Sequence, residues 1–541
     1  MINRPAKSVL SFHPVVFSAP LGIIFALCIV FGCQLESGGN VKFNSPLTWL
    51  AVLITAVIVS VLCGFSLLLL KRIQTVQSFP AQRRLTASKY FALSMGGLCI
   101  CWIPTLLGLY PGYFTYDAPE QWMMVANRSV TTHHPVLHTL LLGNIVQGVY
   151  SLTGSFNKGA FAYTLFQLGV SGLCFAYVLT SLYTANAPKW LRRFAFLWFT
   201  VFPTVILNLF AATKDSLFAP LFLVFSLLSA KLIHSPAHFF EKKSRAAAWV
   251  LITFSMGVMR NNAIYALFIF LILLLFILRK HIKPLLAACG ALFTLYLLYT
   301  GPFYSLTVSQ DSNDQEYLSV PLQQVMRVYQ EKPEELAPSD RELIETVSPP
   351  AAIYLYNPKI SDAVKNSVDL PQIKNNRTEY LSLWQRLGLK YPDIYLNSFL
   401  ENTYGFWYPK ASLILSASGT MGYFSCHSMP PAQDNSKIPV IYDYYQLFVD
   451  SRLVQNSWIM LLFSPGSYFF LFLYTYLYCI CRKRKAASAV LSFTALFWLT
   501  FLFGPVALVR YVAFLYYMVP LEVYLLFVPP HDSGQHAPFK I

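Results

Sequence analysis

The chain alternates long apolar runs with short polar breaks. "LTWLAVLITAVIVSVLCGFSLLLL" and "AIYALFIFLILLLFIL" carry no charge over their whole length. About 20 such residues span a bilayer as a helix. In hydrocarbon only helices and closed barrels satisfy every backbone amide. The runs predict spans near 14–33, 47–70, 89–109, 160–183, 194–212, 216–233, 246–260, 262–278, 284–303, 457–480, 486–505 and 510–528. The expected fold class is an all-α polytopic membrane protein with about twelve transmembrane helices. The first run lacks a small-residue cleavage site and further spans follow it, so it reads as a membrane helix and not a signal peptide.

The polar breaks give the topology. Basic clusters at 71–72, 83–84, 189–193, 241–245, 279–283 and 481–485 separate apolar runs. Short loops rich in Lys and Arg stay cytoplasmic. One further segment, 136–152, is weakly apolar and carries His138, Asn144 and Gln147. Read as a crossing, it would reverse the basic loops after it. It therefore reads as an amphipathic helix lying on the outer membrane surface. Both termini are then cytoplasmic, and residues 305–455 form an inserted extracytoplasmic domain, mixed in character and too long for a plain loop. The domain organisation that follows is 1–88 (two N-terminal helices and a cytoplasmic loop), 89–304 (a membrane core whose first outer loop is 110–159), 305–455, and 456–541 (C-terminal helices and tail).

Composition agrees with this picture. Of 541 residues 56% are hydrophobic and only 12% charged, with mean hydropathy +0.50. That charged share is about half of a typical soluble domain's. The net charge of +16 sits in the basic loops, so it reports topology and not nucleic-acid binding. The ten cysteines show no disulfide framework or metal spacing. Most lie in apolar runs as small apolar side chains, and Cys426, with Cys33 at a helix end, is placed outside.

Acids are the scarce residue. Of 24, 17 lie in 305–455, leaving Glu36, Asp117, Glu120, Asp215, Glu241, Glu522 and Asp532. Asp117, Glu120 and Asp215 fall at the outer ends of helices. In "YPGYFTYDAPEQW" (110–122) Asp117 suits a general base acting on a hydroxyl, although "DAPE" also fits a helix cap. His133, His134 and His138 sit where the surface helix begins and could bind phosphate, orient Asp117 or ligate a metal. In "ATKDS" Lys214 suits a phosphate, and Asp215 suits a metal, a sugar hydroxyl or Lys214 itself. Arg260 and Asn261 follow a short apolar stretch, where a sunken cation needs an anion or acid beside it. Arg510 and Tyr511 open the last span. Three cations and two carboxylates on one membrane face suit an anionic lipid head group and a hydroxyl nucleophile.

The order of "YDAPEQW" before "HHPVLHTLLLG" resembles the first outer loop of GT-C membrane glycosyltransferases, where an acid precedes a His-Pro stretch opening a surface helix. "KD" in the second outer loop and "RY" near the last helix are also similar to recurring GT-C elements. "VPLQQVMRVYQ", "TKDSLFAP" and "RNNAIYA" resemble a bacterial family related to these enzymes. The likeness covers roughly 89–528. The first two spans look like an addition to it. The single Asp with a Glu three residues on departs from a paired acidic motif, and "HHP" lacks the second proline of protein mannosyltransferases. The resemblance implies a GT-C-like core and a polyprenyl-phosphate sugar donor drawn from the bilayer. It also implies inverting transfer to a cell-surface glycan, glycolipid or polymer acceptor on the extracytoplasmic face. Asp117 would be the base and Lys214, Arg260 and Arg510 the phosphate ligands. A divalent cation, if one takes part, would rest on Asp117 and Asp215. Trp407 and Tyr408 in "GFWYP" would stack on sugar. A lipid-linked glycan flippase or other transporter is the alternative, although it would be expected to carry internal repeats and midplane polar breaks.

Overall fold

A computed structural model describes residues 14–76, 85–309, 318–413, 424–425, 427–449 and 458–528. These residues are mostly helical, with isolated bridges and no strand among them. Nine helices are long and apolar enough to cross a membrane: Pro14–Gly38, Pro46–Gln74, Ala87–Gly108, Val136–Thr153, Phe156–Thr184, Lys214–His234, Arg279–Thr307, Lys485–Phe503 and Val509–Phe527. The chain is a multi-pass membrane protein. Cys426, the basic pair at 83–84 and both termini lie outside the described residues.

The expected spans and the helices differ in three respects. The 194–212 run is two helices, Lys189–Val201 and Pro203–Phe210, bent by 48°. Pro203 has no N–H to continue the ladder, so the first helix stops before it. The 262–278 and 457–480 runs hold helices of only 15 and 17 residues, Ala263–Ile277 and Pro465–Cys481. The third is Val136–Thr153, which meets the length and composition needed to cross and is the least apolar of the nine. His138 meets Tyr163 and Val146 meets Gly159.

Lys214–His234 is the central helix. Its most apolar stretch is 89% buried inside the protein, against 22% for the peripheral Pro46–Gln74. The exposed Leu53, Val57, Val61 and Phe65 of that peripheral helix form a surface suited to lipid. Around the centre pack Phe156–Thr184, Lys243–Met259, Lys485–Thr500 and Ala513–Phe527. Pro520 inside the last of these frees the Tyr516 carbonyl, which accepts the Trp198 indole N–H at 2.8 Å. A backbone group that hydrocarbon could not satisfy is thereby satisfied.

Residues 318–403 build a second apolar core from helices Ser319–Glu331, Pro338–Val347, Arg377–Lys390 and Pro392–Thr403, with Leu322, Val325, Ile344 and Leu383 inside. The described part of 305–455, expected to be mixed, is mostly helical, with turns, isolated bridges and coil at 355–361, 407–413 and 427–438. Arg327 pairs with Glu401 inside this unit (2.8 Å) and ties it to the connection between the first two helices, donating to the Gly39 carbonyl (2.9 Å) and Asn40 Oδ1 (2.9 Å). On another side Ile360 bridges to Val506, and the Ser361 N–H donates to the Pro505 carbonyl at 2.8 Å. That contact fixes the segment leading to Arg510.

Candidate active site

Two loops far apart in sequence are joined by backbone. Tyr113 and Ala211 form a parallel bridge. The Tyr113 N–H donates to the Phe210 carbonyl at 2.9 Å, and the Ala212 N–H donates to the Tyr113 carbonyl at 2.8 Å. Gly112 makes this approach possible. It has φ +103°, and a Cβ there would lie 2.1 Å from Thr164 Oγ1. Tyr116 then takes a left-handed φ of 56°, uncommon for a side chain of its size. Its hydroxyl accepts the Ser425 N–H at 2.8 Å. The turn delivers Asp117 to the start of the Ala118–Ala126 helix and sets it beside Lys214, the first residue of the central helix.

Asp117 holds two cations. Lys214 Nζ is 3.1 Å from its Oδ2, and Arg510 reaches Oδ2 at 3.2 Å and Oδ1 at 3.3 Å. The Arg510 guanidinium lies over the Tyr116 ring (4.4 Å) and the Tyr511 ring (5.0 Å). Arg510 also approaches Asp215 Oδ2 at 3.5 Å. Asp215 itself pairs with Arg260, which rests over the rings of Phe501 and Tyr511, both at 4.8 Å. Helix ends assist these placements. Asp215 lies in the first turn of Lys214–His234, and Arg260 ends Lys243–Met259, the positions where an anion and a cation complement the helix dipole.

Several structural alternatives are settled by this geometry. The Asp117 side chain makes no capping hydrogen bond to the helix it precedes. Lys214 and Asp215 do not pair with each other, since each reaches across to another segment. Arg260 is buried and paired, so it does not snorkel to the surface. Burial works to raise the Asp117 pKa, but the neighbouring Arg510, Lys214 and His134 outweigh it and hold the carboxyl well below the usual carboxylate range. The five groups carry three positive and two negative charges. The buried Arg510 Nε makes no hydrogen bond among the described residues.

The remaining sequence candidates divide. His134 belongs to the cluster, with Nδ1 3.9 Å from Asp117 and Nε2 3.3 Å from Glu120. The His134 ring beside Glu120 lowers the carboxyl pKa of Glu120. His133 lies against His134, ring centroids 4.6 Å apart. Tyr511 is the shared aromatic floor of both arginines. Asn261 is exposed, and its neighbour Asn262 makes the bond, to Thr500 Oγ1 at 2.7 Å. Trp407 and Tyr408 are not open platforms. Both are buried in the main apolar core, and Trp407 donates to Thr403 Oγ1. Asp117 and Asp215 make a poor metal pair, because their oxygens face Lys214, Arg260 and Arg510.

Tyr116, Phe501, Gln121 and Tyr163 had no sequence signal of their own, and His138, a sequence candidate, turns out to act from behind the site. Tyr116 and Phe501 carry the arginines on their faces. Gln121, His138 and Tyr163 form a buried chain, with His138 Nδ1 3.0 Å from Gln121 Oε1 and Nε2 2.8 Å from the Tyr163 hydroxyl. It braces the short helix behind Asp117. Adjacency of Tyr116 to Asp117 was the one available hint.

The profile of a family described as "Family of unknown function (DUF6020)" matches residues 122–458, more than half of the chain. The matched stretch includes Lys214, Asp215 and Arg260. No curated protein and no solved structure matches.

Proposed function

The chain belongs to the DUF6020 family, of unknown function, and we propose from its site that it is a membrane glycosyltransferase. It would move a sugar from a polyprenyl-phosphate donor to an acceptor hydroxyl on a glycan, glycolipid or polymer at the extracytoplasmic face. The observation that carries this reading is Asp117. It is one carboxylate shared by Lys214 and Arg510, in a cluster with one positive charge in excess and an unused Arg510 Nε donor.

An arriving lipid phosphate competes with Asp117 for Lys214 and Arg510, which hold it by charge-assisted hydrogen bonds. Asp117, released from its partners, accepts the acceptor hydroxyl proton. The oxygen attacks the anomeric carbon, and the bond from that carbon to the phosphate oxygen breaks. The phosphate leaves with the electron pair, stabilised by the same cations. Arg260, sealed against Asp215, fixes the floor beneath Arg510 and does not meet the phosphate first.

Purified protein supplied with radiolabelled polyprenyl-phosphate sugars and cell-envelope acceptors tests the reading. Label is expected to pass to the acceptor, and Asp117→Asn is expected to stop it while the protein still folds. Full transfer by Asp117→Asn overturns the base assignment. A flippase would instead move the labelled donor across proteoliposomes without cleaving it.

A further inference from the structure

A second set of polar groups lies beside Asp117. Glu120, His133 and His134 bring a carboxylate oxygen and two ring nitrogens within 4.8 Å of one another. Two segments assemble the set. Glu120 projects from the first turn of Ala118–Ala126, and the histidines immediately precede Val136–Thr153.

The buried His134 Nε2 faces the Glu120 carboxylate, whose Oε2 stands 3.3 Å away. Ligands on tetrahedral arms of about 2.0–2.1 Å are roughly 3.3 Å apart, so this pair already has the spacing that such an ion imposes. On the opposite side of the ring, Nδ1 faces Asp117 Oδ2 at 3.9 Å. A carboxylate behind the second nitrogen is the arrangement that orients metal-bound imidazoles. His133, its ring against that of His134, can turn about its side-chain bonds to close a third side.

We propose that Glu120, His133 and His134 bind a divalent metal ion of the zinc class. Two imidazoles and one carboxylate are a donor set that zinc accepts in sites that keep an open position. Magnesium and calcium favour all-oxygen sets. The fourth position is left for water or a substrate oxygen. Through His134 the ion sits one side chain away from Asp117, so the site joins the anion cluster to a Lewis acid. Ion binding does not depend on the glycosyltransferase reading, and each can fail without the other.

Tag-free full-length protein in nanodiscs, stripped with chelator, is titrated with zinc sulfate, and the metal retained per chain is counted after desalting. Cobalt serves as a spectroscopic probe. One retained zinc per chain is expected, with intense visible absorption from a four-coordinate cobalt adduct. Glu120→Gln and His133→Ala, each made separately, are expected to weaken zinc binding by more than the roughly 10–100-fold that follows loss of an outer-shell partner. His238→Ala, which disrupts the separate His238–Glu241 pair, is expected to leave it unchanged. Failure of the wild-type protein to retain zinc overturns the proposal. So does retention unaffected by both the Glu120 and His133 variants.

Discussion

Asp117 and Asp215 belong to one charge cluster and share Arg510, yet they occupy different surroundings. The Asp117 side chain is 22% exposed and that of Asp215 is 2% exposed. Asp117 meets Lys214, Arg510 and His134 at the lip. Asp215 meets Arg510 and Arg260 on the floor, where Arg260 rests on the ring faces of Phe501 and Tyr511. A charge at the lip can exchange its partners for a ligand. A charge on the floor cannot, because exchange would leave a buried ion unpaired. The comparison therefore separates a group suited to chemistry from a group that holds the cationic surface in place.

Asp117→Asn breaks the comparison at its chemical end. A general base contributes typically 10²–10⁴-fold, and a loss of transfer in that range is expected, with a smaller fall in melting temperature than the more deeply buried Asp215 variant shows. Asp215→Asn breaks it at the structural end. Removing one member of a buried pair costs about 3–5 kcal/mol, so lower yield and a lower melting temperature in detergent are expected. The double variant Asp215→Asn, Arg260→Gln is expected to recover part of that loss, because no unpaired charge remains.

Smaller effects sharpen the contrast. Tyr116→Ala removes the ring under Arg510, worth about 0.5–2 kcal/mol. It is expected to raise the donor KM several-fold more than it lowers kcat. Tyr116→Phe keeps the ring and loses the hydrogen bond from Ser425, worth about 0.5–1.5 kcal/mol. It is expected to move the melting temperature slightly and the donor KM hardly at all. Equal effects of both variants on KM would remove the cation–π account.

How much of this was legible in the sequence depends on the kind of residue. Asp117, Lys214, Asp215, Arg260 and Arg510 stand out because charge is scarce and costly in an apolar chain. Their partners were not legible. Lys214 and Asp215 are neighbours, but consecutive residues on a helix point about 100° apart, so each finds a different segment. Trp407 shows the opposite failure. An aromatic residue in a polar stretch reads as a platform, and only packing reveals that it is core. The helices were legible as apolar runs, but a run does not register a break such as the one at Pro203. Nor does it show whether 136–153 crosses the bilayer.

The bridge between Tyr113 and Ala211 also sets a rule for how this chain can vary. Asp117 follows Tyr113 by four residues, and Lys214 follows Ala211 by three. With both loops pinned at that point, each charge sits at the end of a short tether of fixed length. A one-residue insertion after either anchor would swing one side chain out of register while the bridge itself survived. The two loops can change composition separately but can change length only together. Related chains that retain this site should therefore keep both spacings, even where the residues filling them differ.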